Sequence, residues 1–245
     1  MRRREFITLL GSAAAWPLAA RAQQAAQRAK IGILYPGLAS ALPARIAALR
    51  DGLQAIGYRE PENVEFVVRS TGGDPTRIIP VAMELVERKV DVILAASLPA
   101  VNAARPATTT TPIVALDLES DPVNSGLIAS LSRPGGQVTG IFFDFPEFSK
   151  KWLQLLKEAI PRLSSIAVLW DPATGPVQIK GVEIAAEELK VKVEIMDVPG
   201  ISNLDDSIFA ASSKGVDAIL MLSSAVIGGN AEYLAALRWD SDYRP

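Results

Sequence analysis

The sequence predicts an α/β fold of two Rossmann-like lobes, each built on a parallel sheet. Three observations carry this. Short β-branched runs alternate with amphipathic stretches from Lys30 onward, helix start and stop signals stand at the joints between them, and the second half repeats the strand pattern of the first.

Taken in order, residues 31–35 (Ile-Gly-Ile-Leu-Tyr) read as a buried first strand, closed by Pro36 and Gly37. Residues 44–56 read as a helix with Ile46, Leu49, Leu53 and Ile56 on one face and Gly57 as its stop. A second strand follows over 63–69. Asp74 followed by Pro75 then starts a helix that runs to Arg88, an N-cap and a proline in the favoured order. The third strand covers 90–95, and Ser97 with Pro99 opens the next helix by the same capping logic. A fourth strand, 113–116, follows a threonine run that resists helix formation.

The repeat starts at residues 165–172, which stand where 31–36 stood. Residues 191–195 match 64–68, and 215–220 match 89–94, with Ile31, Val64 and Asp91 finding counterparts in Ile166, Val193 and Asp217. Parallel strands converge easily on Val and Ile, so one continuous doubly wound sheet is the competing reading. The breaker-rich residues 133–137 (Arg-Pro-Gly-Gly-Gln), followed by a separate strand at 138–142, favour an N-terminal lobe over 23–137 and a C-terminal lobe over 138–245.

Residues 1–22 read as a cleavable leader. Arg2, Arg3 and Arg4 precede Glu5 and Phe6, an apolar run extends from Ile7 to Ala20, and Ala20-Arg21-Ala22 offers a small-x-small cleavage site ahead of Gln23. The run falls short of the roughly 20 residues of a spanning helix and contains Gly11, Ser12 and Pro17. Adjacent arginines before Glu-Phe resemble a twin-arginine export signal, and Sec export stays open. The expected location is periplasmic. Losing four arginines and one glutamate with the leader takes the formal charge from −2 to −5.

Composition excludes several function classes. The 25 basic and 27 acidic residues are interspersed, with no basic stripe interleaved with aromatics, so nucleic acid is not an expected partner. There is no cysteine, so packing alone must hold the fold. There is no histidine, which removes the commonest general base, the Ser-His and Cys-His pairs and most transition-metal sites.

An ordered set of motifs resembles the ABC-transporter substrate-binding proteins related to the tryptophan-binding type. It comprises the Arg-Arg-Glu-Phe leader, Gly-Leu-Gln-Ala-Ile-Gly-Tyr at 52–58, Arg-Lys-Val-Asp-Val-Ile at 88–93 and Pro-Ile-Val at 112–114. Ser-Asp-Pro-Val at 120–123 and Arg-Pro-Gly-Gly-Gln-Val-Thr-Gly at 133–140 complete it. The resemblance implies a type I periplasmic-binding fold and a monomer that captures a small organic solute, an amino acid or related compound, between two lobes and delivers it to an ABC permease in the inner membrane. It implies no catalytic residue, cofactor or metal. Family members continue beyond the point where this sequence departs from the pattern, after Leu237, so the second lobe is expected to be incomplete, a shortened or frameshifted product.

In parallel sheets ligands bind beyond the carboxyl ends of the strands. The candidates there are Tyr35 and Pro36 after the first strand, Ser97 and Leu98 after the third, and Asp117, Glu119 and Asp121 after the fourth. Phe143, Asp144, Asp171, Ser223 and Ser224 are those of the second lobe. Ser97 and the amides starting its helix suit a ligand carboxylate, or Ser97 is an ordinary N-cap. The alternating acids suit an ammonium or several hydroxyls, or are solvated loop carboxylates, with capping the expected job of Asp121 and Asp171. Tyr35, Phe142, Phe143, Phe145 and Trp170 can supply flat walls, whereas Trp152 reads as core. Two other functions stay open: a hydrolase using Asp117, Glu119 or Asp171, and a sensor module presenting bound ligand to a receptor.

Overall fold

The computed structural model describes residues 28–236, Leu118 and Asp144 excepted. The leader over 1–22, its cleavage after Ala22, the ending after Leu237 and the candidate Asp144 lie outside the described residues, and Asp117 is described through its backbone alone.

Among the described residues, eight strands form two all-parallel sheets. The first contains β1 (Ala29–Tyr35), β2 (Val64–Ser70), β3 (Val92–Ala96), β4 (Ile113–Asp117) and β5 (Val138–Phe142) in the order β2-β1-β3-β4-β5; the second contains β6 (Ser165–Trp170), β7 (Lys192–Asp197) and β8 (Ala218–Met221) in the order β7-β6-β8. The repeat is therefore real at the level of topology: β7-β6-β8 reproduces β2-β1-β3. It also extends to side chains. Asp91 accepts the Lys30 amide at 2.7 Å, and its counterpart Asp217 accepts the amides of Ser164 and Ser165 at 2.8 and 2.9 Å, so each first strand is pinned at its start by an aspartate that leads into the third.

The strand over 138–142 corrects the expected lobe boundary. It does not open the second lobe; it pairs in parallel with β4, Ile113 opposite Val138 through Asp117 opposite Phe142, and closes the first sheet. The reason lies at Gly140, where a Cβ would meet the Ala115 carbonyl oxygen at 1.9 Å: only a residue without a side chain lets β5 approach β4 this closely. Residues 133–137 thus connect two strands of one sheet.

Helices α1 (Pro43–Ala55), α2 (Ile78–Glu87) and α3 (Leu98–Ala107) accompany the first sheet; α4 (Phe145–Ala159), α5 (Val177–Leu189), α6 (Leu204–Ser213) and the short α7 (Ala225–Gly228) and α8 (Ala231–Ala236) accompany the second. α2 and α3 pack one face of the first sheet, burying Leu34, Val81, Leu85, Ile93, Val101 and Ile113 together. The second sheet is covered on both faces. Leu153, Ile166, Val168 and Val182 fill one side against α4 and α5, while Leu169, Leu204, Ile208 and Ile227 fill the other against α6 and α7. Each such side chain contributes about 1.5–3 kcal/mol by leaving water. α1 ends before Ile56, which is 70% exposed rather than on the packed face expected of it, because Gly57 at φ +93° turns the chain away one residue later.

Candidate functional site

The carboxyl ends of both sheets face one cavity of about 350 Å³. From the first sheet come Tyr35 at the end of β1, Arg45 in the first turn of α1, Ala96 and Ser97 after β3, and Leu116 and Glu119 at and beyond the end of β4. From the second come Trp152 on α4 and the run 221–225 with Ile227, Gly228 and Ala231. Of the expected residues, Tyr35, Ser97, Glu119, Ser223 and Ser224 meet here.

Tyr35 is buried at the end of β1, an interior strand between β2 and β3; its hydroxyl accepts from Arg45 Nη1 at 2.6 Å and donates to the Ala225 carbonyl at 3.4 Å, joining the two halves. The Arg45 guanidinium lies 5.3 Å from the Tyr35 ring centroid, a cation–π contact at the cavity wall. Glu119, only 2% exposed, accepts the Leu98 amide at Oε2 and the Ser223 hydroxyl at Oε1, each at 3.3 Å. Ser223 is itself fixed through its backbone: its amide donates to Gln178 Oε1 at 2.9 Å and its carbonyl accepts from Gln178 Nε2 at 3.0 Å. Gln178 is wholly buried, and its carbonyl accepts the Ser149 hydroxyl.

Ser97 does not cap α3. β3 ends at Ala96 and α3 starts at Leu98, so one residue makes the whole turn and takes φ 105°, ψ 161°, with no side-chain cap bond. The expected carboxylate cradle is also altered, since the Leu98 amide is already taken by Glu119. Leu98 contributes that amide, not a lining side chain, and Pro36 contributes a carbonyl that accepts from Thr71 and Gly73.

Four acidic or aromatic candidates fall elsewhere. Asp121 holds a turn rather than a helix start, accepting from the amides of Val123 and Asn124 and from Asn124 Nδ2. Asp171 is the N-cap of the turn at Pro172–Thr174, accepting the Ala173 amide at 3.0 Å, and behind the cavity wall it accepts the Ser224 hydroxyl at 2.9 Å; burial pushes its carboxyl above the usual range. Phe143 is 43% exposed and away from the cavity. Trp170 packs in the core and donates to the Gly175 carbonyl. Trp152 corrects the opposite way: it packs against the second core and also walls the cavity. Arg45 and Trp152 sit on helices, outside the strand-end loops where ligands of parallel sheets are expected. No cluster of three His, Cys, Asp or Glu side chains placed to hold a metal occurs among the described residues. Nor is any helix among them long and apolar enough to cross a membrane.

Comparison with known proteins places this geometry in context. The family model described as ABC transporter substrate binding protein matches residues 30–238. A curated tyrosine-binding protein of Clostridioides difficile is 28% identical over 182 residues, 74% of this chain and 51% of that protein, so the chain spans about half the length of this relative. Among solved structures, a conserved domain protein from Vibrio cholerae is 28% identical with a TM-score of 0.70, covering 79% of this chain and 64% of that one. An ABC domain in complex with L-Trp from Streptococcus pneumonia also gives a TM-score of 0.70, at 24% identity over 84% of this chain and 72% of its own, and supports the fold alone.

Proposed function

The chain belongs to the ABC transporter substrate-binding protein family and has its α/β fold of parallel sheets, the type I periplasmic-binding fold; from this premise we propose that it captures a small organic solute, an amino acid or related compound, between its two sheets and hands it to the permease of an ABC importer. The observation that carries the reading is the cavity at the carboxyl ends of both sheets, where Tyr35, Ser97 and Glu119 from one side face Trp152, Ser223 and Ser224 from the other. A mixed wall of two aromatic rings, aliphatic side chains and few polar groups is the usual make-up of a small-molecule pocket. The curated relative named for tyrosine supports an amino acid as the solute class. In this reading the two lobes move about a hinge, residues 1–22 direct export, and the protein works in the periplasm as a monomer.

Carboxylate catalysis has less support. Asp171 is engaged by Ser224 and Ala173 behind the cavity wall, and Glu119 faces no second acid among the residues that line the cavity. A receptor in place of the permease would use the same cavity, and only the partner would differ.

Thermal unfolding against a panel of amino acids, amines, small carboxylates and sugars tests the proposal, since a ligand that binds only the native state raises the midpoint. A saturable rise with one chemical class is expected. A cooperative transition indifferent to the whole panel would contradict it.

A further inference from the structure

The turn at Ser97 carries two costs. Its backbone lies at positive φ, a region that residues with a side chain avoid. Its hydroxyl, in a residue 5% exposed, has no hydrogen-bond partner among the described residues. Both features stand on the cavity wall at the N-terminus of the ten-residue helix α3. Strain and an unpaired buried hydroxyl at one cavity-lining residue mark a place where a bound molecule supplies the missing partner.

The chemistry of that molecule follows from Glu119. A helix N-terminus ordinarily draws an anion, but here the anion is the protein's own: the Glu119 carboxylate accepts the first amide of α3. A solute carboxylate brought to Ser97 would meet a like charge in a poorly solvated place, whereas a cationic N–H donor would meet a carboxylate and a hydroxyl that accepts. Of the residues that line the cavity, Arg45 is the sole cation, and it lies at the Tyr35 side.

We propose that Ser97 and Glu119 form a subsite for the ammonium head of the solute, so that the N-terminus of α3 has its usual preference reversed and solutes without an amine are refused. This rests on the reading of the cavity as a solute site and names the class it takes. Tyr35 and Trp152 then flank the carbon skeleton, and a carboxylate on the same solute turns toward Arg45.

Isothermal titration of the full chain with matched pairs tests this: L-tyrosine against 3-(4-hydroxyphenyl)propionate, L-tryptophan against indole-3-propionate, and L-leucine against 4-methylpentanoate. For at least one skeleton the amino acid is expected to bind and the acid lacking the amine to bind on the order of 100-fold more weakly, the scale set by leaving a buried charge unpaired. Glu119→Gln should shrink that gap at least about tenfold. An acid that binds as tightly as its amino acid overturns the subsite and leaves solute capture standing, as does a sugar or other solute without an amine that raises the unfolding midpoint where no amino acid binds. Absence of binding by all six compounds and by the wider panel overturns both. If Glu119→Gln does not fold, the ranking of the six compounds by the unaltered chain decides, and Ser97→Ala should weaken the amino acid more than the acid.

Discussion

The Ser223 hydroxyl meets Glu119 Oε1 at 3.3 Å across the gap between the two sheets, joining residues 104 positions apart in the sequence. Its two ends are prepared differently. Glu119 is held by an α3 amide, and Ser223 by the side-chain amide of Gln178, which takes both its N–H and its C=O. The second sheet's share of the cavity is thus set before any solute arrives, which lowers the ordering cost of binding.

Gln178→Ala should expose what that preparation is worth. It leaves the Ser223 amide and carbonyl without their partners, at about 1–3 kcal/mol for a buried group left unpaired. Urea unfolding should show a loss of about 2 kcal/mol or more. Solute affinity should fall with it. A loss below about 0.5 kcal/mol would mean that water replaces the side chain freely.

Ser97→Gly should separate stability from function. Glycine takes positive φ without strain, so the ligand-free chain should gain about 1 kcal/mol, read as a higher unfolding midpoint, while solute affinity drops because the hydroxyl is gone. A lower midpoint would show that the turn is not strained.

The pinning of β6 should be visible as a pH dependence. Hydrogen bonds from the Ser164 amide and hydroxyl and from the Ser165 amide hold the Asp217 carboxyl at about 2, below its ordinary 3.8. A depressed carboxyl contributes stability that is fully present above its unfolded value and is lost as pH falls through its folded one. The unfolding midpoint of the unaltered chain should therefore exceed that of Asp217→Asn at pH above 3.8, and the difference should shrink as pH falls toward about 2. A difference that does not change over that window would show that the charge has no part in the pin.

The strands and their repeat were legible because β-branched runs and capping residues are local signals: Ile31 to Tyr35 and Ile166 to Trp170 announce themselves, and so does Asp74 ahead of Pro75. The place of β5 was not, since it depends on how closely Gly140 comes to Ala115, a contact between segments that no local pattern records. In the site, Tyr35, Ser97, Glu119, Ser223 and Ser224 could be found because strand ends converge in a parallel sheet. Arg45 could not, because an arginine in the first turn of an amphipathic helix looks like any solvated charge, and Trp152 looked like core because it is also core. Asp121 and Asp171 take the amide-binding role expected of them rather than a place at the cavity. A carboxylate at a strand end suits a ligand or a turn equally, and here the nearby amides claim both.

Calorimetric titration of the chain and of Gly228→Phe, with the solute that emerges from the thermal panel, asks whether that solute sits between the two sheets. Gly228 lines the cavity, and a Cβ placed there meets nothing within 4 Å, so an added ring has open space at the cavity wall. The unaltered protein should bind one solute per chain, and Gly228→Phe should show no measurable binding at an unchanged unfolding midpoint; undiminished binding by that variant would place the solute somewhere other than between the two sheets.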